Sequence, residues 1–213
     1  MRTIIVLILP VALSLAACAS NRIPDRLDTM ESEAEDAYDL ALAGNVKKVQ
    51  TVSQQLDQDW QAFRGQAAKD GASETTLQEV DRALAGVHIA LDNSDSGARL
   101  ARTVNQVSAP MPALFHLYGP KVPSSILALD YLGREVALDG ILKEFPASHL
   151  TELDNTWSHV RPDVVSHGGE AEAQVFDQHL ADLRAAADAN RWDHLTETAN
   201  VLLEDVDALE DVF

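Results

Sequence analysis

The sequence predicts an all-α protein, built as a tandem duplication of a four-helix unit and packed as antiparallel helical bundles. Three observations carry that prediction. Apolar residues recur in steps of three and four from Leu27 to Phe213, which gathers them on one face of a 3.6-residue helix. No segment alternates with the period of two that a half-buried strand needs. Residue pairs also repeat at separations of 95 to 97 positions, the mark of an internal repeat.

Taken in order, Leu27, Met30, Ala34, Tyr38 and Ala41 form the first stripe, and Gly44 is a natural C-terminal stop. Asn45 can cap a second helix that carries Val49, Val52, Leu56, Trp60 and Phe63 and ends by Gly71. Ser73 can cap a third, with Leu77, Val80, Leu84, Val87 and Leu91, closed by the polar turn at 92–97. A fourth holds Leu100, Val104, Val107, Met111 and Leu114. Pro110 and Pro112 must kink or split it, because proline removes a helix hydrogen bond and clashes with the preceding turn. The stretch Tyr-Gly-Pro-Lys-Val-Pro-Ser-Ser at 118–125 reads as a linker. Beyond it come Leu129, Leu132 and Val136, then Leu150, Leu153, Trp157 and Val160. After the break at His167-Gly168-Gly169, Ala173, Phe176, Leu180, Leu183 and Ala187 form a stripe, and Trp192, Leu195, Ala199, Leu202, Val206 and Leu209 form the last. Eight helices and no sheet are expected.

The duplication rests on paired residues. Leu56, Asp57, Trp60 and Arg64 recur as Leu153, Asp154, Trp157 and Arg161, 97 positions on. Val80, Asp81, Leu84 and Val87 align with Phe176, Asp177, Leu180 and Leu183 at 96, and Thr103 and Asn105 with Thr198 and Asn200 at 95. The offset drifts at the loops, where deletions are tolerated. Trp60 and Trp157 are expected to anchor two cores. The Asp and Asn pairs flank the stripes, as capping or ion-pairing residues do.

The chain opens with Arg2 and then an uncharged run from Ile4 to Ala17. That run is shorter than the roughly 20 apolar residues a membrane-crossing helix needs, so it reads as the apolar core of an export signal. Leu15-Ala16-Ala17-Cys18 closes it. This tetrapeptide resembles the lipobox of bacterial lipoproteins, which implies cleavage before Cys18 and acylation of that cysteine. Ala19, where the family's inner-membrane retention signal carries Asp, implies an outer-membrane anchor facing the periplasm. With the helical pattern that follows, the mature chain resembles the loosely defined class of periplasmic helical-bundle lipoproteins. The expected organisation is a signal at 1–17, the lipidated cysteine and a tether at 18–27, helical repeats at 28–117 and 125–213, and a linker at 118–124.

The formal charge is −18, and −19 once Arg2 leaves with the signal. Nucleic-acid binding depends on Lys and Arg neutralising phosphates, so that class is excluded. Cys18 is the one cysteine, so neither an internal disulfide nor a cysteine metal cage can form. There is no Gly-rich phosphate loop, no G-x-S-x-G and no H-E-x-x-H. The sequence calls for no cofactor and for a non-enzymatic binding or scaffolding protein, partnered by the membrane through its lipid and by an envelope protein. The alternative is a periplasmic copper or zinc protein. Five of seven histidines lie in the second half, and His167, Glu170, His179 and His159 are the candidate ligands, since imidazole and carboxylate suit those ions.

Overall fold

A computed structural model of the protein describes residues 22–213; Cys18 and the leader lie outside the described residues. Those residues form nine helices and no strand: α1 Asp25–Leu42, α2 Val46–Asp70, α3 Glu74–Asp92, α4 Gly97–Asn105, α5 Met111–His116, α6 Ser124–Leu142, α7 Ala147–Ser166, α8 Glu170–Asp188 and α9 Trp192–Glu210. The all-α expectation is met, with one helix more than the eight expected. The ninth arises where the fourth was expected to kink or split. Residues 106–110 turn, Pro110 precedes α5, and Pro112 occupies its first turn, where the missing N–H has no intrahelical partner to lose.

Local chemistry sets the ends. Ser73 accepts the Thr76 backbone N–H at 3.0 Å and so caps α3. Asn45 precedes α2 without a side-chain cap bond. Gly71 closes α2 at φ 110°, a left-handed conformation that costs glycine little.

The helices pack as two rings. α1 lies against α2 and α4, and α3 joins α2 to α4; α6 lies against α7 and α9, and α8 joins α7 to α9. Partner order along the helices shows the antiparallel sense. On α2 and α3, Asp57 meets His88 and Trp60 meets Asp81, while Arg64 meets Asp81 and Glu74. Each ring has its own core, one holding Trp60, Phe63, Val80 and Met111, the other Trp157, Phe176, Leu183 and Val206. Met30 and Met111 are packing residues, 0% and 1% exposed.

Both rings carry the same strut. Trp60 Nε1 donates to Asp81 at 2.7 Å, and Trp157 Nε1 donates to Asp177 at 2.7 Å. Arg64 and Arg161 bond those same carboxylates through Nε. One helix turn before each tryptophan, Asp57 pairs with His88 and Asp154 with Arg184. The Asn pair diverges, for Asn105 is buried and Asn200 is exposed.

α6 joins the rings, touching α4 and α5 as well as α7 and α9. Its Leu138 belongs to the first core, while Ile126, Leu129, Leu132, Val136 and Ala137 belong to the second. Eleven of its nineteen residues are buried, too many for a helix with one apolar stripe. Gly133 and Gly140 let α9 close in: a Cβ at Gly133 would stand 2.7 Å from Leu203 Cδ2, and one at Gly140 would stand 2.9 Å from the Trp192 carbonyl oxygen.

Candidate functional site

Arg134, Glu135 and Asp139 are buried on α6, and burying a charge is costly unless it is paired. Each is paired, and the pairs fall into two seams along α6.

The first seam runs between α1, α6 and α9. The Arg134 guanidinium bonds Glu35 of α1 and Asp130 of its own helix, and stands 5.5 Å over the Tyr38 ring, a cation–π contact. Glu31, Glu35 and Asp130 each offer an oxygen within 4.8 Å of the others. With Glu204, Asp207 and Glu210 they line an open cleft of about 350 Å³. Three clustered carboxylates share one guanidinium, so they cannot all ionise freely. Burial first, and then Glu35, pushes Glu31 up to about 8. Burial also pushes Asp130 up to about 7, with Arg134 opposing. Burial is the largest influence on Glu35 and alone would raise it, but Arg134 together with the hydrogen bonds of Glu31 and Asp130 holds that carboxyl below its ordinary value. Clustered carboxylate oxygens suit calcium or magnesium, but here the guanidinium already serves two of the three.

These shifts fix the sign of a pH effect. Glu31 and Asp130 hold protons in the folded chain that the unfolded chain has released, starting from ordinary values of 4.5 and 3.8. Stability contributed by those protons is complete below the ordinary values and lost as pH rises through about 7 to about 8. Glu35, shifted downward, acts only on the acid side of 4.5. The thermal midpoint should therefore fall between about pH 5 and about pH 8. A midpoint that is flat or rising across that range contradicts this assignment.

The second seam runs between α4, α6 and α7. Asp139 gives Oδ1 to Arg102 of α4 at 2.6 Å and Oδ2 to His149 Nδ1 of α7 at 2.6 Å. Glu135 Oε1 accepts from Asn105 Nδ2 at 2.9 Å and Gln106 Nε2 at 3.0 Å. Its Oε2 faces Arg102 Nε at 3.3 Å and His149 Nε2 at 3.8 Å. Asn105 also donates to the Tyr131 carbonyl at 3.1 Å, and Arg102 reaches Glu144 beyond α6. Glu135 is raised by burial, although Asn105, His149 and Arg102 pull the other way. His149 is raised chiefly by its hydrogen bond to Asp139.

The histidine-centred candidates lie elsewhere, and the structure does not bring them together. His159 Nδ1 meets the Asn155 carbonyl on its own helix, at 2.5 Å. His167 Nδ1 meets the Asp163 carbonyl, and its ring lies 4.6 Å from Phe213. His179 pairs with Asp205 of α9 at 2.5 Å, and Glu170 is exposed in the first turn of α8. Among the described residues the group of three or more His, Cys, Asp or Glu ligand atoms that converges is Glu31, Glu35 and Asp130. Trp60 and Trp157 are 3% and 4% exposed, each inside its own core.

Neither seam is among the sites the sequence predicts. The signal was on α6 itself, where Ile126, Leu127, Leu129, Leu132, Val136 and Leu138 spread around the helix. Gly133, Ala137 and Gly140 add small residues in steps of four and three. A helix apolar or small on both sides leaves its charges no solvated face, so Arg134, Glu135 and Asp139 had to be paired inside.

No protein-family model, curated protein or solved structure matches this chain.

Proposed function

We propose that the chain is an envelope lipoprotein that binds or scaffolds and does not catalyse, its helical body serving as a stiff platform held at the outer membrane, facing the periplasm, by acylated Cys18. The observation that carries this reading is α6, whose residues enter both cores. A shared buried helix makes one firm body of two rings, which suits presentation of a surface. The paired struts at Trp60 and Trp157 support descent of the two rings from one duplicated unit. The acidic surface favours a partner with a basic face. No described helix is long and apolar enough to cross a membrane, so attachment in this reading falls to the lipid. More than one acyl chain is needed for stable anchoring, because a single chain binds only marginally.

Cys18→Ser tests the attachment. The variant should lose fatty-acid label and leave the membrane fraction, while its circular dichroism stays that of the native helical body. Label retained on the Cys18→Ser protein overturns the lipoprotein reading.

A further inference from the structure

We propose that His149 is a proton-operated latch that holds α7 to the buried carboxylates of α6, closed when the imidazole is charged and eased when it is neutral. Glu135 and Asp139 have side chains 1% and 3% exposed, and two cations meet them, Arg102 from the first ring and His149 from the second. Arg102 keeps its proton at any ordinary pH. His149 does not have to, so the balance of two against two depends on it.

The geometry favours the charged ring. Both imidazole nitrogens face carboxylates, Nδ1 on Asp139 at 2.6 Å and Nε2 on Glu135 at 3.8 Å. A neutral ring can donate from Nδ1 only by turning the lone pair of Nε2 toward Glu135. The imidazolium presents N–H to both. The ring is also 26% exposed, so its proton can exchange with solvent while both carboxylates stay buried. The groups facing it are Asp139 and Glu135 of α6 and Arg102 of α4, with Glu144 reaching Arg102 from the loop after α6.

Loss of that proton leaves a buried carboxylate with one cation too few. The loss falls on the contact of α7 with α6, because His149 is the α7 group that meets these carboxylates, whereas Arg102 and Asn105 of α4 still hold both of them. The sign follows from linkage. A histidine raised above its ordinary value, as His149 is, lends stability that is complete below about 6.5 and is lost as pH rises through the raised value. The latch therefore closes in mild acid and eases toward alkaline pH. Glu31 and Asp130 act with the same sign on the opposite side of α6, so the latch must be read as a difference between two proteins.

The test uses the whole chain. Proton-detected titration of His149 should give a midpoint above the ordinary value of about 6.5. Amide protection factors in the N-terminal half of α7, which remove the intrinsic pH dependence of exchange, should fall as wild type passes through that midpoint. His149→Gln keeps an N–H donor toward Asp139 but cannot titrate, and it should lose that fall in α7 while keeping the pH response of α1 beside Glu31. A His149 midpoint at or below the ordinary value overturns the latch. So does an α7 profile in His149→Gln that tracks wild type. If the variant does not fold, wild type decides: a raised midpoint with a matching fall in α7 supports the latch, and the absence of either overturns it.

Discussion

Trp157→Ala and Trp60→Ala should each lower the free energy of unfolding by about 3–5 kcal/mol, the range for truncating a fully buried aromatic side chain. Both rings are nearly sealed, at 4% and 3% exposed. Truncation removes the transfer free energy of the indole, leaves a cavity, and takes the N–H from Asp177 or Asp81. The larger loss belongs to Trp157, which lies 4.3 Å from the Phe176 ring. Trp60 has Val80 at the paired position and meets Phe63 edge-on at 6.4 Å. Phenylalanine at either position keeps most of the volume and gives up the hydrogen bond, a loss nearer ~1 kcal/mol. Urea unfolding followed by circular dichroism measures all four variants. Alanine losses under about 1 kcal/mol would mean that the rings are not the anchors of the two cores.

Arg134→Met should cost about 3 kcal/mol at neutral pH. Removing one partner of a buried ion pair costs about 3–5 kcal/mol because the other charge stays behind unpaired. The lower end applies here, since Glu35 is 38% exposed and water shares its charge. Methionine retains much of the aliphatic volume, so the loss reports charge more than packing. The effect should be strongly pH-dependent. Without the guanidinium, Glu31, Glu35 and Asp130 repel one another when ionised and become harmless once protonated, so the variant should approach wild type near pH 4. Paired thermal melts at about pH 4 and about pH 7 read the difference. An equal loss at both values would place the role of Arg134 in packing and not in charge.

The stripes and the turn at 92–97 were legible because each is local, and the tryptophans stood out because one local spacing recurs 97 positions on. Asp81 and Asp177 stood out for the same reason, at fixed offsets from their stripes. The Trp-to-Asp bond itself was not legible, since it depends on which face α3 turns to α2. In α6 the spacing shows one stripe through Leu129, Leu132 and Val136, which is correct for the second core and silent about Leu138 in the first. The seams stayed hidden because their partners lie far apart in sequence: Glu35 meets Arg134 across 99 positions, and Arg102 meets Asp139 across 37. The histidines drew attention by number, yet His159 and His167 spend a ring nitrogen on carbonyls of their own helix. His149, which the same count included, is the one whose two nitrogens face buried carboxylates.

The central claim is that α6 makes one cooperative body of the two rings. Native-state hydrogen exchange under rising urea tests it most directly, because the slowest amides open only with the largest cooperative unit that contains them. The slowest amides of α2 in the first ring and of α8 in the second should converge on one opening free energy and one urea dependence. Two plateaus, with one ring's slowest amides opening at a lower free energy and a smaller urea dependence than the other's, would contradict the claim.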